Sequence, residues 1–180
     1  QLIVATRMGK AIRFDENDVR PLGRSARGVK AIALEEGDQV IGMARVREGA
    51  TLVTVTEKGL GRRTDLSEYR LQARGGKGIP NYKQVEQNGQ VCNIKVVDEE
   101  DDLILIASNG VIIRISVADI SIQSRYAQGV RVMRVPEGER VVTMARTAKE
   151  EEESNGWEGG QEEPSDSVSA SESPAEEPAE

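Results

Sequence analysis

Histidine is absent from the 180 residues of this chain, and cysteine, tryptophan and phenylalanine occur once each. The lack of histidine excludes Ser-His and Cys-His nucleophile pairs, histidine metal ligands and the usual general base near neutral pH. The GxxxxGK[ST] phosphate-binding loop does not occur either, because GGKG at 75–78 has neither its spacing nor its hydroxyl residue. The sequence therefore indicates no catalytic residues.

Long apolar segments are also missing. No stretch reaches the roughly 20 apolar residues that cross a bilayer as a helix, and we find no signal peptide. Cys92 has no second cysteine with which to form a disulfide inside the chain, which is typical of a reducing compartment. We therefore expect a cytoplasmic protein that makes no membrane contact.

The acidic run at 98–102, DEEDD, is the pattern that comes nearest to a metal site. No glycine stands where a calcium-binding loop needs its sharp turn. Runs of like charge are more often solvated, and this one joins two of the repeated segments described next. We interpret it as a solvated connection, and we expect this chain to bind no metal and no cofactor.

Three segments of the chain align without a gap when Gly9, Gly59 and Gly110 are taken as origins. A leucine lies seven residues before each origin, an acidic residue nine after it, and a second glycine nineteen after it. An arginine follows each origin at four residues (Arg13, Arg63, Arg114) and again at fifteen (Arg24, Arg74, Arg125). The period of 50 to 51 residues is the length of a propeller blade. We number the segments unit 1 (about 1–48), unit 2 (49–102) and unit 3 (103–148).

Each unit has the pattern of a series of β-strands. A short run rich in Val, Ile and Thr precedes the origin glycine and a second run follows it. Pairs such as Asn109-Gly110 between them predict a hairpin with a two-residue type I′ turn. Third runs follow at 29–34 and 130–135, and fourth runs at 39–46, 90–97 and 140–146. The pattern predicts an all-β, propeller-like fold of three four-stranded blades.

Charge divides the chain in two. Residues 1–148 hold 23 basic and 19 acidic residues, a net charge of +4, whereas 149–180 hold one basic and twelve acidic residues, a net charge of −11. The second segment is otherwise mostly Ser, Pro, Gly and Ala, so we expect a disordered acidic tail. Three blades are too few to close a propeller, and we therefore expect a C-terminal piece of a longer protein.

The two sets of repeated arginines invite different interpretations. Those four residues after the origin lie in a strand, five residues before an acidic residue, and we expect an ion pair inside each blade. Those fifteen residues after the origin lie in a polar, glycine-containing loop, where guanidinium groups suit phosphate oxygens. Solvated loop charge is the alternative for this second set, and the residues alone do not decide between the two.

These units resemble the C-terminal domain of DNA gyrase A over residues 2 to about 147. The segments that carry the resemblance are TEKGLGRRTDLSEY (56–69), QARGGKG (72–78) and VADISIQSRYAQGV (117–130). The resemblance implies a β-pinwheel, a six-bladed relative of the propeller with differently exchanged strands. It also implies that duplex DNA wraps around a basic rim so that the enzyme introduces negative supercoils. The three units here resemble the last three blades.

The family's signature is a seven-residue box of Gln, basic, Arg, Gly, Gly, basic, Gly. Ala73 departs from it at the second position, and only one unit follows, whereas the box is expected in the first blade. We therefore interpret 72–78 as a box-like loop of a later blade that contacts DNA. The resemblance predicts that DNA is bound by Gln72, Arg74, Gly75, Gly76, Lys77 and Gly78. The repeated polar loops add Arg24, Arg27, Lys30, Arg125 and Arg131 as predicted DNA-binding residues.

The resemblance further implies the setting. The partners would be duplex DNA, the remainder of gyrase A, and gyrase B, in a bacterial heterotetramer that holds two copies of each. ATP and Mg²⁺ would be used by the rest of that type IIA topoisomerase, an isomerase, and not by this chain. The alternatives are the equivalent domain of topoisomerase IV and a protein-interaction propeller. The WD and kelch signatures of the latter do not occur here.

Overall fold

The computed structural model describes residues 1–83 and 86–149, and the regular secondary structure of this part is β-strand in three antiparallel sheets, apart from three short 3₁₀ turns. The all-β, propeller-like prediction is confirmed, whereas the predicted acidic tail lies outside the described residues apart from Lys149. No helix in the described part is long and apolar enough to span a membrane. The strands are β1 (Leu2–Thr6), β2 (Lys10–Phe14), β3 (Val40–Arg45), β4 (Thr51–Thr56), β5 (Leu60–Asp65), β6 (Ile79–Pro80), β7 (Val91–Val97), β8 (Asp101–Ala107), β9 (Ile112–Ser116), β10 (Val130–Arg131) and β11 (Val141–Ala148).

The origin glycines end the tight turns of the hairpins. In unit 2 the Gly59 N–H donates to the carbonyl of Thr56 at 3.0 Å, and Gly59 itself has a φ of 77°. The turn residues are Glu57 and Lys58, and the glycine follows them in the left-handed region. The predicted two-residue type I′ turn is therefore wrong, because three residues connect the strands and only the last must be a glycine.

Neighbouring units exchange their outer strands. The sheet orders are β3-β1-β2-β6, β10-β5-β4-β7 and β11-β8-β9, and we call these sheets blade 1, blade 2 and blade 3. Strand β6 follows the loop of unit 2 but pairs with β2 of unit 1, with Ala11 opposite Ile79. Strand β10 of unit 3 pairs with β5 of unit 2 in the same register, with Gly61 opposite Val130. Each outer strand therefore ties one unit to the one before it.

Strand exchange explains where the sheets differ from the sequence pattern. Blades 1 and 2 have four strands, and blade 3 has three among the described residues. The prediction of a strand at 29–34 is wrong: the corresponding segments pair with the return strand of the preceding unit, and the described residues contain no unit before unit 1. It is held instead by the next unit's loop, where the Ala33 N–H donates to the carbonyl of Gly76 at 2.8 Å.

The blades stack face to face, and β4 lies at the centre with all of its residues buried. Leu52 packs into one apolar cluster with Ile3 of blade 1, whereas Val53 points to the other face and packs with Leu103 of blade 3. This alternation is the period of two that a strand covered on both faces requires. Strand β7 packs against both β3 and β11, so these three strands form one side of the array and β6 and β10 lie on the opposite, outer edge.

The acidic run at 98–102 leads from β7 into β8, as predicted, but its last two residues are the first two of β8, and solvation is only part of its environment. Asp98 pairs with Arg47 at 2.9 Å, and Asp101 pairs with Arg146 at 3.1 Å. Asp101 is 9% exposed. The run is therefore an ion-paired junction of blades 2 and 3. No group of three or more His, Cys, Asp or Glu residues in the described ranges could hold a metal ion.

Candidate nucleic-acid interface

A 3₁₀ turn directs the chain from each return strand into its basic loop, and an aspartate side chain caps it in units 1 and 2. In unit 2 the turn is Leu66–Glu68, and the Asp65 carboxylate accepts from the Ser67 N–H at 2.7 Å. Hydrogen bonds from the backbone and side chain of Ser67 lower the pKa of Asp65, and those from Asn17 lower the pKa of Asp15 at the same place in unit 1. A charged acceptor suits these exposed turn amides, as at any helix N-cap.

Two of the arginines four residues after the origins contact the next unit, whereas the third, Arg114, pairs with Asp102 of its own blade at 2.8 Å. Arg13 Nη1 donates to the carbonyl of Leu66 at 2.7 Å, and Arg63 Nη1 donates to the carbonyl of Val117 at 2.9 Å. Both acceptors lie seven residues after the next origin. In the described part of the chain neither of these two arginines pairs with the acidic residue five positions on, and Arg63 Nη2 lies 3.8 Å from Glu99 Oε2 instead. The predicted pairing with that residue is therefore wrong for units 1 and 2. These arginines join neighbouring units.

Two of the arginines fifteen residues after the origins, Arg74 and Arg125, contact the preceding unit. Arg74 donates from Nη1 to the carbonyl of Lys30 and from Nε to that of Asp18, the latter at 3.2 Å. Arg125 Nη1 donates to the carbonyl of Pro80 at 2.8 Å. Lys30 and Pro80 occupy the same position, 21 residues after their origins. A guanidinium carries five N–H donors, so both side chains keep donors for a further acceptor.

These contacts join the three basic loops into one surface. The loop of unit 2 touches that of unit 1, where the Gly75 N–H donates to the carbonyl of Ala31 at 2.8 Å, and Arg125 reaches back to unit 2. We call residues 24–30, 72–78 and 125–131 the outer-edge strip, because β6 and β10 lie on that edge. Its exposed cations are Arg24, Arg27, Lys30, Lys77 and Arg131, and Arg74 and Arg125 are half-buried.

Within the box-like loop, charge and shape are divided between residues. The Gln72 N–H donates to the carbonyl of Arg13 at 2.9 Å, and its side-chain Nε2 is buried with no partner in the described residues. Gly78 has a φ of 69°, and a Cβ there would lie 2.5 Å from the carbonyl oxygen of Ala11. Glycine is therefore required at position 78 for this close approach, whereas Arg74 and Lys77 present the charge.

Further exposed cations lie near the same loops and are not among the DNA-binding residues predicted from the sequence. Arg20 and Arg70 both lie eleven residues after their origins, and Lys83 and Arg134 both lie 24 residues after theirs. Equal offset in two units is the signal that could have identified them. They extend the basic character of the outer edge beyond the predicted residues.

A strand-exchanged array of repeated β-blades with a basic outer edge defines the class of this chain as a pinwheel-type propeller. A family model described as "DNA gyrase C-terminal domain, beta-propeller" matches it three times, at residues 1–47, 50–98 and 101–148. The chain belongs to the DNA gyrase C-terminal domain family.

Curated relatives agree with the family match. Identity to DNA gyrase A of Staphylococcus aureus strain MRSA252 is 44% over 156 residues, which is 86% of this chain and 18% of that protein. Identity to DNA gyrase A of Staphylococcus epidermidis is 45% over 153 residues, or 84% of this chain and 17% of that protein. The chain thus spans less than a fifth of the length of these relatives.

Several solved structures share the fold, and two of them illustrate the likeness. The C-terminal domain of DNA topoisomerase IV superposes with a TM-score of 0.77 at 27% identity, over 82% of this chain and 46% of that chain. The DNA gyrase A C-terminal domain superposes with a TM-score of 0.75 at 28% identity, over 81% of this chain and 50% of that chain. The predicted resemblance to the gyrase domain is confirmed.

Proposed function

We propose that this chain binds duplex DNA along the outer-edge strip and wraps it, so that a gyrase introduces negative supercoils. The observation that carries the proposal is the continuity of the strip: each unit presents its basic loop at the same edge, and each loop is bonded to the next. A curved series of cations contacts phosphates and needs no base readout. Duplex of any sequence is therefore the expected ligand.

The charge on the strip has a defined thermodynamic role. Each phosphate contact releases condensed counterions and contributes about −0.9 to the slope of log K against log salt on duplex DNA. Bending 20–30 base pairs by 40–90° costs on the order of 1–6 kcal/mol, which these contacts must offset. The strip lacks carboxylates, and its only aromatic residue is Tyr126. Single-stranded DNA, which binds by base stacking on rings, is therefore the poorer ligand.

The same proposal places the chain in a larger enzyme. It would act in the bacterial cytoplasm, joined to the remainder of gyrase A and assembled with gyrase B in a heterotetramer that holds two copies of each. The strip supplies binding and bending, and the ATP- and Mg²⁺-dependent steps would belong to the rest of that enzyme.

Wrapping is tested by closing nicked circular DNA with ligase in the presence of the chain and measuring the linking number. We expect a shift of one sign that grows with protein and disappears at high salt. Replacing Arg27, Lys77 and Arg131 by glutamine should remove the shift and reduce the salt slope of binding by up to about 0.9 for each cation. Arg45→Gln is the matched control, since Arg45 is an exposed cation on β3 at the opposite edge. Equal losses in the strip and control variants would contradict the proposed interface.

A second candidate is the corresponding domain of topoisomerase IV, because its solved C-terminal domain superposes with a TM-score of 0.77. The linking-number measurement separates the two candidates. Duplex binding with no change in linking number would remove the wrapping proposal and leave this second candidate.

A further inference from the structure

Arg62 is a fully buried cation in the middle of blade 2, with a relative exposure of 0%. It lies three residues after its origin glycine, and the same position holds Ile12 in unit 1 and Ile113 in unit 3. Burial lowers the pKa of its guanidinium from the ordinary value. No carboxylate lies within ion-pair distance of it in the described part of the chain.

A buried, unpaired charge is expensive unless hydrogen bonds satisfy it, so its partners indicate what it does. Nη1 donates to the carbonyl of Ala127 at 2.7 Å, and Nη2 donates to the carbonyl of Asn81. Nε donates to the hydroxyl of Thr64 at 3.0 Å, and the guanidinium lies over the Tyr82 ring, 4.6 Å from its centroid. Every guanidinium nitrogen of Arg62 thus donates a hydrogen bond, and the bond to Ala127 reaches the basic loop of unit 3.

Two side chains of unit 2 donate hydrogen bonds to consecutive backbone carbonyls of that loop. Arg62 holds the carbonyl of Ala127, and the Tyr82 hydroxyl donates to the carbonyl of Gln128. Ala127 and Gln128 lie between Arg125 and Arg131, the two cations that unit 3 contributes to the outer-edge strip.

At the corresponding position the loop of unit 2 contacts an apolar side chain. Gly76 lies 17 residues after its origin, as Ala127 does, and a Cβ on Gly76 would lie 3.7 Å from the Cδ1 of Ile12. Ile12 is the residue that corresponds to Arg62. The loop of unit 2 therefore rests on a side chain with no directional bond, whereas that of unit 3 is bonded to a fixed guanidinium.

We infer that Arg62 is a positioning residue for DNA binding: it fixes the loop at 123–131 so that Arg125 and Arg131 face the duplex. The inference rests on the proposed function for its effect on DNA. The loop contact itself can be tested without DNA.

The test substitutes Arg62→Ile, which installs the residue found in units 1 and 3. Hydrogen exchange followed by mass spectrometry should show faster exchange in peptides that cover 123–131, with those of blade 1 unchanged. Affinity for duplex DNA at 0.1 M salt should fall by about eight-fold for each phosphate contact that the loop loses, with a reduction of about 0.9 in the salt slope. Arg125→Ala should then weaken DNA binding in the wild-type background and have no further effect in Arg62→Ile.

Tyr69→Phe is the matched control. The Tyr69 hydroxyl donates to Asn81 Oδ1 at 2.6 Å and also interacts with the Arg62 side chain, but among the described residues it makes no bond to the loop. It should change the unfolding midpoint and leave the loop's exchange and the effect of Arg125→Ala as in the wild type. The same loss of coupling in Tyr69→Phe as in Arg62→Ile would overturn the inference.

The outcomes separate the inference from the proposed function. If the wild-type chain binds no duplex DNA, the proposed function fails and the exchange measurement alone decides the inference. If Arg62→Ile does not fold, Arg62→Met decides, because its unbranched apolar side chain also removes the bond to Ala127. Unchanged loop exchange and full Arg125 dependence in a folded Arg62→Ile or Arg62→Met variant would overturn the positioning role.

Discussion

Gly59→Ala and Gly110→Ala form a matched pair that isolates the contact between units. Both glycines end equivalent hairpin turns, with φ of 77° and 83°. A Cβ on Gly59 would stand well under 3.0 Å from the carbonyl oxygen of Met133, whereas one on Gly110 would meet nothing within 4 Å. The alanine at Gly59 must therefore push the β10 segment away, and the alanine at Gly110 need not move any neighbour.

The magnitudes follow from these surroundings. Left-handed backbone costs an alanine roughly 1–2 kcal/mol at either position. Displacing Met133 also breaks two hydrogen bonds to the Gly59 carbonyl, from the N–H groups of Val132 at 2.9 Å and Met133 at 3.1 Å. Each is worth about 0.5–1.5 kcal/mol. Gly59→Ala should therefore lower the free energy of unfolding by about 1–3 kcal/mol more than Gly110→Ala does.

Urea denaturation followed by far-ultraviolet circular dichroism measures the difference. Both variants should unfold at lower urea concentration than the wild type, and Gly59→Ala should unfold first by a clear margin. Gly9→Ala should behave like Gly59→Ala, because its Cβ would meet the carbonyl of Tyr82 in the same way. Equal midpoints for Gly59→Ala and Gly110→Ala would refute the reasoning that exchanged strands, and not turn conformation alone, require these glycines.

Three further predictions concern other parts of the chain. Arg63→Ala should lower the free energy of unfolding by at least about 1.5–3 kcal/mol, the value of a hydrogen bond to a charged group, because the Val117 carbonyl loses its donor. Urea denaturation measures this loss, and a variant that unfolds normally but loses DNA affinity would contradict the prediction. Burial raises the pKa of Cys92 to about 12, so its thiol stays protonated between pH 7 and 10 and should react slowly with iodoacetamide until urea unfolds the chain; fast labelling of the native chain at pH 8 would count against this. Deleting residues 149–180, which carry a net charge of −11, should tighten duplex binding at low salt. It should have little effect at high salt, where charges beyond about a Debye length are screened. Equal affinities of the full-length and truncated chains at low ionic strength would indicate that the segment is only a solubilising extension.

Strand positions could be predicted because they depend on local pattern. Runs of β-branched residues on either side of Gly9, Gly59 and Gly110 correspond to the hairpins, and the runs at 39–46, 90–97 and 140–146 correspond to β3, β7 and β11. The strand at 29–34 was predicted wrongly because pattern gives the propensity of a segment and not the presence of a partner edge. The corresponding segments pair in units 2 and 3, and the one in unit 1 does not.

The hydrogen-bond partners of the site residues were harder to predict from the sequence than the positions of the strands. Arg13 and Arg63 each have an acidic residue five positions on, and sequence proximity favoured an ion pair there. The structure instead bonds them to carbonyls of the next unit, more than 50 residues away in the sequence. The role of Arg62 left no repeat signal, because it replaces an isoleucine in one unit only. Contacts across units are set by strand exchange, which a repeat pattern does not display.

The identical register of the two exchanged strands has a consequence for changes in blade number. Ala11 pairs with Ile79 and Gly61 pairs with Val130, so an outer strand from either unit presents the same residue offsets to the return strand before it. Insertion or deletion of one whole period, begun at any point of the repeat, recreates this junction between units that were not neighbours before. A deletion that removes only the strands of a single blade would instead leave β6 or β10 without the strand with which it pairs. Duplication and loss in whole periods is therefore the route by which such arrays can lengthen or shorten and still fold.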